Sequence, residues 1–125
     1  MQSPDHVSQS WQQAFNAHDV TALAGLYDPQ AVLWGTLSAE LINTPEGVRA
    51  YFERTFASLP DVGIAWGAAL TRHFGEVAVS SGHYTLGFTR GGELVTAPAR
   101  FSFTMRSSAA GWRIVDHHSS LMPAT

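Results

Sequence analysis

The sequence predicts an α+β fold, with helices gathered in the first half and a meandering antiparallel sheet in the second. Three observations predict it. Apolar residues recur at helical spacing up to about residue 59. From residue 62 onward they alternate instead, and glycine-bearing turns separate the alternating stretches. With 125 residues, 45% of them apolar, the chain has the length of one domain. It is expected to span residues 1–125 around a single core.

Ser3 is placed to cap a first helix, with Pro4 at its first position. Val7, Trp11, Ala14, Phe15 and His18 follow at the spacing of one helix face. Asp19 caps a short second helix carrying Leu23, Leu26 and Tyr27, and Asp28-Pro29 stops it. A brief strand is expected over residues 31–34 and a loop over 35–43. Thr44-Pro45-Glu46 starts a third helix, with a buried stripe of Val48, Tyr51, Phe52, Phe56 and Leu59. Pro60 ends it. Val62, Ile64, Trp66, Ala68 and Leu70 then alternate as a strand. Gly75 turns the chain into a strand over 76–89. Arg90-Gly91-Gly92 reads as a hairpin, because glycine adopts positive φ without penalty. A strand over 93–106 carries Pro98 at a bulge or an edge. The last strand is expected over 112–120.

Composition excludes several classes of function. Charged residues make up 14%, too few for a disordered tail or a coiled coil. Ten acids stand against seven arginines, with no lysine, so no concentrated basic face is available. Neither a nucleic-acid nor a membrane-surface partner is expected. The absence of cysteine rules out disulfides, thiolate metal sites and cysteine nucleophiles. It fits a cytoplasmic protein, as does an N-terminal stretch without the basic start and apolar run of a leader.

On the strand over 93–106, Phe101, Phe103 and Met105 share one face, and Arg100, Ser102, Thr104 and Arg106 the other. On the last strand, strict alternation puts Trp112, Ile114, Asp116 and His118 together, opposite Val115, His117 and Ser119. The third helix can cover only one face of the sheet. Trp112 and Ile114 on the other face predict a second copy of the chain.

Four stretches carry a family resemblance: AVLWGTLS (31–38), VRAYF (48–52), ARFSF (99–103) and GWRIVDHHSS (111–120), the last followed by Met122-Pro123. The chain resembles the nuclear transport factor 2-like (SnoaL-like) superfamily. Within it, the chain is most similar to the calcium/calmodulin-dependent protein kinase II association domain and its stand-alone bacterial relatives. The resemblance implies a cone-shaped roll, a curved and mainly antiparallel sheet wrapped around three N-terminal helices. It also implies a homodimer or larger ring, and a pocket inside the cone. Tyr51 and Tyr84 are expected to meet there, with Phe101 and Phe103 as the apolar wall and Trp34, His117 and Ser119 as further ligand contacts. Arg100, Trp112, Ile114 and His118 are the expected interface residues. The association domain holds a small carboxylate with strand arginines. Phe103 and Ser119 stand at two of those positions here, which puts that binding in question for this chain.

The run Asp116-His117-His118-Ser119-Ser120 is the densest polar cluster. His117 or His118 is the candidate general base, since imidazole titrates near neutrality. A Ser119–His117–Asp116 triad is excluded, because neighbours on a strand point to opposite faces. Only Asp116 and His118 pair on one face, so no metal is expected. No Gly-x-Gly-x-x-Gly occurs, and no cofactor is expected. His18 is assigned to a dipole-favoured helix end rather than to a ligand. Tyr84 is placed inward and His83 outward, an order that a one-residue bulge would exchange. The preferred reading is a non-catalytic, homo-oligomeric domain that binds a small organic molecule in a largely apolar pocket. The alternative is a small enzyme of isomerase, cyclase or hydrolase type.

Overall fold

The computed structural model describes residues 3–124. Its elements are α1 (Pro4–Asn16), α2 (Val20–Gly25), β1 (Tyr27–Trp34), α3 (Pro45–Ser58), β2 (Gly63–Phe74), β3 (Val77–Arg90), β4 (Glu93–Ser108) and β5 (Gly111–Leu121). No helix among the described residues is long and apolar enough to cross a membrane.

Side-chain caps start all three helices. Ser3 accepts the His6 N–H, Asp19 the Ala22 N–H and Thr44 the Gly47 N–H, each satisfying an end group that has no partner within the helix. His18 closes α1 in left-handed backbone, at φ +54°. Its N–H bonds the Phe15 carbonyl, and the Asp19 N–H reaches back to that of Ala14. The His18 ring lies flat on Phe56 at 4.2 Å and donates through Nε2 to the Val62 carbonyl.

The five strands form one sheet in the order β1-β5-β4-β3-β2, with β1 parallel to β5 and the other pairs antiparallel. The helices pack into its hollow. Val7, Trp11, Phe15, Val48 and Phe52 meet inward residues of every strand in one core. Burying this set is what stabilises the roll, since apolar area removed from water is the dominant favourable contribution. Pro98 lies on β4 just past the end of β5, where Met122 N–H bonds its carbonyl. That is a local edge, where its missing N–H leaves no ladder bond unmade.

Three bulges bend the sheet and correct the strict alternation expected from the sequence. In β1 the shift falls between Tyr27 and Val32. Tyr27 is therefore buried at the start of a strand, not on α2, and Asp28-Pro29 interrupts a strand rather than ending a helix. In β2 the shift falls between Trp66 and Ala69, and Leu70 turns outward to 64% exposure. In β5, Asp116 pairs with Thr104 and Ile114 with Met105, leaving Val115 as the extra residue. Ile114 consequently faces inward with His117 and Ser119. It is fully buried within one chain, and cannot be the interface residue expected. Trp112 packs partly against the same core.

Candidate functional site

Residues of α1 and α3, inward residues of β1, β3 and β5, and the loop after β1 enclose a cavity of about 30 Å³. Trp11, Phe15, Leu33, Phe52 and Leu86 form its apolar walls. Its polar lining is Thr36, Tyr51, Thr55, Tyr84, His117 and Ser119, and none of the lining residues is an acid, an arginine or a lysine.

Of the expected ligand contacts, Tyr51, Tyr84, His117 and Ser119 meet at this cavity. Trp34 does not. Leu33 takes the inward position on β1, which turns Trp34 outward to 42% exposure. Phe101 and Phe103 are not walls either. Phe101 stacks flat on the Tyr84 ring at 4.9 Å, and Phe103 meets His117 edge-on at 4.5 Å. Both fill the cone behind the residues that line the cavity. His118 is exposed on the outer face, beside Ser102 in the ladder, and Asp116 is exposed on the same face. Arg100 is also exposed there. His83 lies outward and Tyr84 inward, since the bulge sits in β2 and leaves β3 regular.

A line of buried hydrogen bonds runs through the site. Trp11 Nε1–H donates to the Tyr27 hydroxyl at 3.0 Å, and that hydroxyl meets His117 Nδ1 at 2.8 Å. His117 Nε2 lies 3.4 Å from the Tyr84 hydroxyl, which donates to Ser119 Oγ at 2.7 Å. Ser119 Oγ is 2.6 Å from Thr36 Oγ1. On the opposite wall, the Tyr51 hydroxyl accepts the Leu37 N–H at 3.3 Å, and Thr55 donates to the Tyr51 carbonyl. A Cβ at Gly35 would overlap the Tyr51 ring, so glycine is what lets that ring lie against the loop.

Burial sets the charge states. It depresses the pKa of His117 to about 3, with a smaller contribution from His118. It raises those of Tyr27, Tyr84 and Tyr51. At neutral pH the lining carries no net charge. Among the described residues, no three His, Asp or Glu side chains converge as a metal set would.

Reading the sequence missed Trp11, Tyr27, Thr36 and Thr55 as members of this site. Trp11 and Tyr27 sat on apolar helical stripes, where an aromatic reads as core. Thr36 lay in a loop that carries no periodic signal.

The chain has been compared with known proteins. The family model for the SnoaL-like domain matches residues 5–125. No curated protein matches. A Xanthomonas campestris structure named for the calcium/calmodulin-dependent protein kinase II association domain is 28% identical. It superposes with a TM-score of 0.85 over 97% of this chain and 86% of that one. A Thiobacillus denitrificans protein of the same name is 18% identical, with a TM-score of 0.80 over 97% and 96%. A Novosphingobium aromaticivorans protein described as NTF2-like with a cystatin-like fold is 19% identical, with a TM-score of 0.81 over 95% and 79%. The last two share the fold. With the family model matched over nearly its whole length, the chain belongs to the SnoaL-like domain family.

Proposed function

We propose that this chain is a homo-oligomeric, non-catalytic binding domain whose cone takes up a small, uncharged, mainly apolar organic molecule. The observation that carries this reading is the lining, in which apolar walls end in hydroxyls and a neutral imidazole with no ionised group. Moving an unpaired ion into such surroundings costs several kcal/mol, whereas a neutral ring gains from the apolar contact. The cavity of about 30 Å³ holds little more than water. Leu37, Tyr51 and Thr55 form the wall it shares with an outer cleft of about 150 Å³, which Ser58 and the solvent-exposed Arg54 complete. Tyr51 is held at its hydroxyl by one long bond, so its rotation would join the two spaces and admit a single ring.

Two observations weigh against the general-base alternative. Both ring nitrogens of His117 already face tyrosine hydroxyls, and burial makes its imidazole a weak base at neutral pH. Asp116 and His118 lie on the outer face, away from the cavity. For assembly, the support is the name of the 28%-identical relative and the outer face of β3–β5. Arg100, Ser102 and His118 line a hollow of about 390 Å³ there, and Trp34 stands beside His118 in register. A cytoplasmic setting, expected from the cysteine-free composition, goes with this reading.

Calorimetric titration with acetophenone and benzoate tests the binding. The two probes match in size and differ in charge. Saturable heat with acetophenone and none with benzoate is expected. A preference for benzoate, or silence with both at millimolar concentration, overturns the proposal. Light scattering should give at least twice 13.5 kDa, and Arg100→Asp with Trp34→Asp should reduce it towards that value.

A further inference from the structure

The buried hydrogen bonds can be followed proton by proton, because the first member has no choice of role. An indole N–H donates and never accepts. Trp11 therefore gives its proton to the Tyr27 hydroxyl, whose own proton must go elsewhere. The partner at 2.8 Å is His117 Nδ1, so Nδ1 accepts. Were Nδ1 protonated instead, the Tyr27 hydroxyl would accept twice and leave its proton buried without an acceptor, at a cost of the order of a lost hydrogen bond.

The neutral imidazole then carries its proton on Nε2, which faces the Tyr84 hydroxyl. Tyr84 accepts there and passes its own proton to Ser119 Oγ. Ser119, having accepted, donates to Thr36 Oγ1 at 2.6 Å. Each step leaves one proton for the next group, and the line ends at the Thr36 hydroxyl. Among the described residues no acceptor takes that last proton. Thr36 lines the cavity.

We infer that the line from Trp11 to Thr36 runs in one direction, and that Thr36 is the directed hydrogen-bond donor of the cavity, selecting ligands that carry an acceptor oxygen. This rests on the binding reading above and narrows it. A carbonyl or ether oxygen on an apolar body satisfies Thr36. A pure hydrocarbon of equal size leaves its proton unpaired, and a donor-only molecule finds a donor facing it.

Two measurements test the inference separately. In the full-length protein, ¹⁵N–¹³C correlation NMR of the His117 ring identifies the protonated nitrogen. Protonation at Nε2 is expected, and protonation at Nδ1 overturns the direction of the line. Titration with acetophenone and with ethylbenzene, its counterpart without oxygen, tests the selection. Thr36→Val should weaken acetophenone about fivefold to tenfold and strengthen ethylbenzene, which then strands no proton, while Thr36→Ser should keep the wild-type preference. Equal effects on both probes, or none, overturn Thr36 as the selecting residue. Near-UV circular dichroism of Thr36→Ser and Thr36→Val checks that each variant is folded. If neither probe binds the wild type, the binding reading and the Thr36 selectivity fall together, and the direction of the line is still decided by the imidazole.

Discussion

Replacing His117 with Gln should change how stability depends on pH, more than how stable the protein is at any one pH. In the folded chain burial holds the His117 pKa near 3, whereas the unfolded chain titrates near the ordinary 6.5. The folded value lies below the unfolded one, so the unfolded chain takes up this proton first. The contribution is therefore fully present above about pH 6.5 and is lost as pH falls towards 3. In that interval the loss is ~1.4 kcal/mol per pH unit, or ~2.5 kcal/mol between pH 7 and 4.5. The window must stop at 4.5 to stay above the carboxylates. Asp28 in particular would confuse a lower one. Burial opposes its ionisation, but the Gln30 N–H and Arg106 outweigh it and hold its pKa below the usual value, so its contribution is also lost in acid. Urea unfolding at pH 7, 6, 5 and 4.5 measures both proteins. The variant keeps the other histidines, and subtraction removes their contributions. At pH 7 the variant should be the less stable, having lost bonds to Tyr27 and Tyr84. Its deficit should shrink by ~2.5 kcal/mol at pH 4.5. A difference that stays flat across the window would refute the claim that His117 is buried and neutral.

Two further outcomes follow from single contacts. Gly35→Ala should destabilise by ~1–3 kcal/mol, because its Cβ overlaps the Tyr51 ring. Combining it with Tyr51→Ala should abolish that added penalty, and a thermal-unfolding double-mutant cycle with no coupling would show that the two do not touch. Arg106→Met should cost ~1–3 kcal/mol at pH 7, since it strips the buried Asp28 carboxylate of contacts at 3.0 and 3.2 Å. The deficit should vanish with Asp28→Asn in the same chain, and a deficit that persists would move its origin to the packing of the Arg106 stem.

Most of the fold was legible because it is written in short-range chemistry. Ser3, Asp19 and Thr44 announce helix starts by what their side chains can accept, and the tight turns at Gly75 and Gly91-Gly92 have the positive φ that glycine tolerates. The cavity was half legible. Tyr51 sits on an unbroken α3 stripe and Tyr84 on a regular stretch of β3, so counting by period found both. Counting failed wherever a bulge intervened. Tyr27 and Ile114 lie beside ladder shifts, and a shift is decided by how two strands pair, which neither strand encodes alone. Phe101 and Phe103 failed for another reason. Both are buried and face inward, and that does not say whether a ring lines a space or fills it.

The β5 bulge has a consequence that a deletion can expose. Val115 is the unmatched residue between Ile114, paired with Met105, and Asp116, paired with Thr104. Removing it leaves Ile114, Asp116 and His117 in plain alternation, with Ile114 and His117 still inward and Asp116 still outward. The chain lacking Val115 should therefore fold cooperatively, losing ~1–2 kcal/mol from a half-buried valine and from the local twist. Its near-UV circular dichroism should keep the signature of the packed Trp11, Tyr84 and Phe101 rings. If Val115 were an ordinary ladder residue, its loss would turn everything from Asp116 to Leu121 over, exposing His117 and Ser119 and driving Asp116 and His118 into the core. Burying those two without partners would cost several kcal/mol. A broad, non-cooperative urea transition would thus show that the inward placement of His117, and the hydrogen-bond line built on it, does not depend on Val115 standing outside the ladder.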